Sequence, residues 1–204
     1  LVRPRKSRLR RVKKLVESDS DSNNEEAVQL TNSIATVLGG SAESGSLVVV
    51  SKSGNITQTG SLDVDTTSSF TTEADDATIT LTNAGNALIG AVTFASTDTN
   101  SNDSESVALT NSIATVLGGT TETGNFELNS NGGVTQTGDL DVDGTTSITE
   151  SADDADVTLT NVGNALTGAI TVVSDDTDSD NAEDVDITNS VATVLGGSTR
   201  SGTL

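Results

Sequence analysis

The 204-residue sequence has no Cys, His, Met, Trp or Tyr, three Phe and a single Pro. Without Cys there is no disulfide framework and no thiolate metal site. Without His the chain lacks the side chain best suited to acid–base work near neutral pH. Three rings cannot build a thick aromatic core. Val, Leu, Ile and Phe together number 49, about 24% of the chain, just above the level at which a highly charged chain stays unfolded. What remains possible is a thin core of small, largely β-branched side chains. No segment is long and apolar enough to span a bilayer.

Positive charge is almost confined to one end. Against 30 acidic residues stand 10 basic ones, a net charge of −20, and residues 1–14 (LVRPRKSRLRRVKK) hold eight of the ten. Residues 15–204 therefore carry −28, with Lys52 and Arg200 as their only cations. A body this acidic repels nucleic acid and anionic membranes and attracts divalent cations, so no nucleic-acid partner is expected. The basic head is followed by ESDSDSNNEE at 17–26, not by the apolar stretch of an export signal. Residues 1–27 are read as a basic, then acidic, mostly disordered leader.

What the sequence does contain is repetition. TNSIATVLGG occurs at 31–40 and again at 110–119, and TNSVATVLGG at 188–197. The units open at Val28, Val107 and Val185, the last truncated, and a period this long implies smaller repeats inside it. An aliphatic–Thr–Asn/Gln triplet recurs at 30–32, 56–58, 81–83, 109–111, 134–136, 159–161 and 187–189, in steps of 25–28 residues. Around it apolar and polar residues alternate with the period of a strand buried on one face, and Gly, Asn, Asp and Ser punctuate the short runs as turns require. Helical spacing is nowhere sustained.

Equal coils of several short strands describe an all-β parallel β-helix (β-solenoid) over 28–204, with about seven coils of 25–28 residues. In that register Asn32, Gln58, Asn83, Asn111, Gln136, Asn161 and Asn189 are expected to stack as one amide column, each donating to one neighbour and accepting from the other. The Gly-Gly pairs at 39–40, 118–119 and 196–197 are read as turns.

The runs GNITQTGSLDVDTTSSFTT (54–72), DADVTLTNVGNALTGAITVVS (154–174) and ATVLGGSTRSGTL (192–204) resemble the β-strand repeats of filamentous-haemagglutinin-like bacterial exoproteins, exported by two-partner or autotransporter routes. That resemblance, over roughly 28–204, implies a right-handed parallel β-helix serving as a stalk or adhesive surface outside the cell. It also implies host or neighbouring-cell glycans or proteins as partners. No secretion domain or membrane barrel is recognisable, so the chain reads as a segment of such a protein.

Three chemistries fit parts of the sequence. DLDVDGTTSITE (139–150) matches a D-x-D-x-D-G-x5-E calcium loop with Asp139, Asp141, Asp143 and Glu150 as ligands. No helical pattern flanks it, however, and Leu140 and Val142 read as inward strand residues that turn their acidic neighbours to solvent. The acidic segments 19–23, 98–102 and 176–180, each placed shortly before a unit opens, offer hard oxygen ligands to Ca²⁺ but read first as solvated loops that keep the rod soluble. Carboxylate pairs suit a polysaccharide-active enzyme, but a sugar cleft also wants aromatic platforms, imidazoles or cations, which are nearly lacking. No catalytic, cofactor-binding or metal residue is assigned and no cofactor is expected. The expected function is a non-enzymatic structural or adhesive repeat of a bacterial surface or secreted protein. A Ca²⁺-stabilised exoprotein module and a polysaccharide-active β-helix enzyme are the alternatives. End-to-end self-association is expected where a coil edge is left open.

Overall fold

A computed structural model describes residues 11–12, 27–39, 43–96, 104–121, 123–174 and 183–196. The described elements are all strands, and no described helix is long and apolar enough to cross a membrane. Ahead of the first unit lies β1 (Arg11–Val12). The first unit holds β2 (Ala27–Asn32), β3 (Thr36–Leu38), β4 (Glu43–Ser44), β5 (Ser46–Ser51), β6 (Ile56–Gln58), β7 (Asp63–Val64), β8 (Ser68–Thr72), β9 (Ile79–Leu81), β10 (Ala87–Leu88) and β11 (Ala91–Ala95). The second holds β12 (Ser106–Asn111), β13 (Thr115–Thr121), β14 (Asn125–Ser130), β15 (Val134–Gln136), β16 (Asp141–Val142), β17 (Thr146–Glu150), β18 (Val157–Leu159), β19 (Ala165–Leu166) and β20 (Ala169–Ser174). The third contributes β21 (Val185–Ile187) and β22 (Val194–Leu195).

Every named pair is parallel, and the strands stack into a β-solenoid of about seven turns. The first sheet runs β2-β5-β8-β11-β13-β15-β18-β21, and the second runs β1-β3-β6-β9-β12-β14-β17-β20-β22. Short ladders close the edges, β4-β7-β10 in the first unit and β16-β19 in the second, with a bridge from Thr123 to Val142. Stacking of this kind gives each coil's peptide groups their partners in the coils above and below, which satisfies backbone polarity around a narrow core.

The unit is not three equal coils. Strands β2, β5, β8 and β11 occupy one sheet, and then β12, the repeat copy of β2, joins the other. Each unit therefore winds three and a half turns and hands the next unit on with the two sheets exchanged. The turns also lengthen within a unit. Ala27 pairs with Ser46, Leu47 with Ser68, Ser68 with Val92 and Ile79 with Val107, each step along the chain longer than the one before. The second unit resets to a short step, Ser106 on Asn125, and ends on a long one, Val157 on Val185. The evenly spaced triplets therefore do not mark even turns. The first spacing, from Leu30 in β2 to Ile56 in β6, covers one turn and a half.

The core follows from alternation. In β5 the pattern SLVVVS buries Leu47, Val49 and Ser51 and turns Val48 and Val50 outward; β17 does the same with Thr146, Ile148 and Glu150. All three Phe meet at the first unit junction: Phe70 and Phe94 stack at 5.9 Å, and Phe126 meets Phe94 edge-on at 6.2 Å. They come from β8 and β11 of one sheet and β14 of the other, so they tie the exchanged sheets together across the interior. Such ring pairs contribute about 0.5–1.5 kcal/mol beyond the area they bury. Gly118 and Gly119 are not a turn. They lie inside β13, where the pairing with β11 slips by one position between Val92 and Thr93, and Gly119 takes a positive φ of 122° to accommodate it.

Candidate functional site

The lengthening of the turns is concentrated at one corner. In the first unit, connections from the first sheet to the second span 33–35, 52–55, 73–78 and 96–105; in the second unit the matching corner spans 112–114, 131–133, 151–156 and 175–184. The two longest connections of each unit are consecutive along the rod, and they bring carboxylates together.

Asp75 and Asp76 stand in the 73–78 connection, and Glu105 closes the 96–105 connection immediately before β12. One carboxylate oxygen from each lies within 4.8 Å of the other two. Asp153, Asp154 and Glu183 form the same arrangement in the second unit. Because the sheets exchange between units, the two clusters sit at opposite edges of the rod.

Within each cluster the Asp residues are exposed and the Glu is fully buried. Asp76 and Asp154 adopt left-handed backbone conformations, φ 57° and 58°, and are the only described residues other than glycine with positive φ. Asp is among the residues that tolerate this region. The Asp76 N–H donates to Glu105 Oε1 at 2.7 Å, and the Asp154 N–H to Glu183 Oε1 at 3.4 Å. The second oxygen of each Glu, Oε2, is buried with no hydrogen-bond partner. A carboxylate oxygen held out of water without a donor is costly, and here the same cost recurs in both units.

Glu150 lies close by, at the inner end of β17. Its Oε1 accepts the Ala152 N–H at 2.5 Å and its Oε2 accepts the Ser174 hydroxyl at 3.3 Å. Burial pushes its carboxyl above the ordinary range, repulsion from Glu183 adds to the rise, and its hydrogen bonds offset part of it.

The structure does not assemble the D-x-D-x-D-G loop. Asp141 lies in β16 between buried Leu140 and Val142, Asp139 and Asp143 are exposed at either side, and Glu150 turns into the core. None of the four belongs to a carboxylate cluster among the described residues. The acidic segments 19–23, 98–102 and 176–180 lie outside the described residues, as does the leader apart from Arg11–Val12, which pairs with β3, and Ala27. Sequence reasoning missed the two clusters. Their signals were an Asp-Asp pair recurring at 75–76 and 153–154, and a Glu-x-Val recurring at 26–28, 105–107 and 183–185.

The single amide column is also not formed. Asn32 ends β2 in the first sheet and Gln58 ends β6 in the second, so the two do not stack. Gln58 instead makes a reciprocal amide pair with Asn86, Nε2 to Oδ1 at 2.8 Å and Nδ2 to Oε1 at 2.9 Å. Gln136 and Asn164 repeat it at 2.8 and 2.9 Å. Asn111 and Asn189 act differently. The Asn111 amide accepts the Leu88 N–H at 3.0 Å and donates to the Leu88 carbonyl at 3.2 Å, standing in for the next strand on the short ladder that ends at β10. Asn189 does this for Leu166 at 2.9 and 3.0 Å. Within the set of triplets, register does align Leu81 with Leu109 and Leu159 with Ile187.

No curated protein and no solved structure gives a significant match to the chain. A family model described as repeats of unknown function, DUF5649, matches residues 25–95 and again 104–173, so that each match takes in the strands of one unit together with its Asp-Asp pair. With most of its length covered by the two matches, the chain belongs to the DUF5649 repeat family.

Proposed function

We propose that this chain is a non-enzymatic structural or adhesive repeat segment of a bacterial cell-surface or secreted protein. One observation carries the reading: each unit adds three and a half stacked turns to two sheets that continue through all of the units. Adding units lengthens such a rod without changing its cross-section, which suits a spacer or a surface presented at a distance. The outward positions support it. Thr, Ser, Asn and Asp take many of the outward strand positions, among them Thr71, Thr93, Ser147 and Thr149, and the body's charge of −28 keeps rods apart in solution. Partners of an adhesive rod of this kind are glycans or proteins of a host or neighbouring cell, met outside the cell.

A calcium-stabilised module is the second reading, favoured by the two acidic clusters at the unit junctions. It differs in what holds the rod together, not in what the rod does. The test is to display residues 28–204 on beads and measure retention on glycan arrays and on cultured cell layers, with electron microscopy of chains carrying one, two and four units. Rod length rising in proportion to unit number, with saturable retention on one surface class, is expected. Rods that do not lengthen, or turnover of an acidic polysaccharide by the purified chain, would overturn the proposal.

A further inference from the structure

We propose that Asp75, Asp76 and Glu105, and their repeat copies Asp153, Asp154 and Glu183, form two calcium sites, one for each complete unit. Each ion would pin the Glu that leads into the next unit to the corner of the coil beneath. The inference concerns what fastens the rod and does not depend on whether the rod is adhesive.

Three observations converge. In each cluster a carboxylate oxygen from every residue lies within 4.8 Å of the others. Oxygens coordinated to Ca²⁺ at about 2.3–2.6 Å stand up to about 5 Å apart across the ion, whereas Mg²⁺ at about 2.0–2.1 Å demands a tighter, near-octahedral set. Next, Glu105 and Glu183 are fully buried, and Oε2 of each has no hydrogen-bond partner. A cation at the cluster supplies the missing partner. Finally, the arrangement is built twice. The same two-plus-one set, the same left-handed Asp and the same orphaned Glu oxygen recur in both units, on opposite edges.

The ligand chemistry narrows the ion. Only oxygen donors are present, and the chain has no Cys or His to favour a softer metal. Two exposed Asp at the mouth leave room for water and for the further oxygens that Ca²⁺ takes to complete six to eight ligands. The location gives the ion a structural task. Asp75 and Asp76 belong to the turn between β8 and β9, and Glu105 leads into β12, which stacks directly on β9. The Glu105 carbonyl in turn accepts the N–H groups of Gly124 and Asn125, at 2.5 and 3.1 Å, in the next coil. An ion here fixes the point where one unit ends and the next begins with its sheets exchanged.

The experiment is calorimetric titration of CaCl2 into the full chain freed of metal by a chelator, in a background of excess Mg²⁺. Two ions bound per chain and a higher melting temperature with Ca²⁺ are expected, since binding the folded state alone stabilises it. Glu105→Gln and Glu183→Gln should each leave one ion, and the double variant none. Should these buried changes disturb folding, Asp75→Asn with Asp153→Asn, both on the exposed side, should weaken binding about tenfold or more while the circular dichroism stays unchanged. Absence of Ca²⁺ binding by the native chain would overturn the proposal. So would two ions retained by the folded double Glu variant, or binding lost when Asp98, Asp176, Asp178 and Asp180 are neutralised with both clusters intact.

Discussion

Asn86→Leu should be the most damaging single change to a polar residue in the first unit, and Asn83→Leu, in the same turn, should be mild. The Asn86 side chain is fully buried. Its Oδ1 accepts from the Leu62 N–H at 2.9 Å and from Gln58 Nε2 at 2.8 Å. Its Nδ2 lies at 2.9–3.0 Å from Gln58 Oε1, the Leu81 carbonyl and the Thr110 carbonyl. Leucine is of similar size, so the loss comes from orphaned partners and not from a cavity. Among the partners, the bonds to Leu62 and Leu81 are fully buried. At about 1–3 kcal/mol for each buried group left unsatisfied, those two alone amount to about 2–6 kcal/mol. That is a large part of the stability of an ordinary domain. The Asn83 side chain, by contrast, accepts only the exposed Gly85 N–H at 2.9 Å among the described residues, so its loss should cost about 1 kcal/mol or less. Urea unfolding followed by circular dichroism gives the first measure. Because repeat arrays do not always unfold in one step, exchange of the Leu62 amide hydrogen gives the second, and it should accelerate strongly in the Asn86 variant alone. Equal effects of the two substitutions, or a larger one at Asn83, would refute the register.

Three further outcomes follow from the packing and the charges. Gly90→Ala should destabilise by about 3 kcal/mol, because its Cβ would overlap the Thr66 carbonyl and force backbone apart; Gly85→Ala, whose nearest neighbours are side-chain atoms at 3.3 Å, is the milder control in the same melting assay. Glu150→Gln should raise the melting temperature near neutral pH. The folded-state pKa of Glu150 lies above its ordinary 4.5, so the stability linked to its protonation is present below that value and lost as pH rises through the folded pKa. The gain from a permanently neutral side chain should therefore disappear in acid, and a gain independent of pH would contradict this origin. Finally, Val194 and Leu195 in β22, at the rim of the second sheet, are 51% and 58% exposed. Among the described residues no strand lies beyond β22; such an edge is expected to template pairing, and charge repulsion at low salt should be screened at high salt, where the Debye length falls to about 3 Å at 1 M. Light scattering should report growing mass with added NaCl; a monomer at all concentrations would mean that this rim is covered.

The alternation of Ile79, Leu81, Leu128 and Ile148 with polar neighbours was sufficient to specify strands buried on one face, and the recurrence of whole phrases was sufficient to specify a solenoid. Both are local properties: a side chain's face depends on its position parity, and a repeated phrase must build a repeated shape. The pairing register was not local. Leu30 and Ile56 open look-alike triplets, yet Leu30 pairs with Val49 and Ile56 with Thr36 and Ile79. Similar words end up on different sheets because corner connections of different length set how far the chain winds between them. The same cause hid the acidic clusters. Asp76 and Glu105 are separated by a full turn of the solenoid, and Asp139 lies in a string that looks far more like a metal loop. Only the stacking of β12 on β9 brings Glu105, which leads into β12, to the same point as Asp75 and Asp76. Strand pleat, meanwhile, turns Asp141 away from the core and Glu150 into it, since successive side chains along a strand face opposite sides.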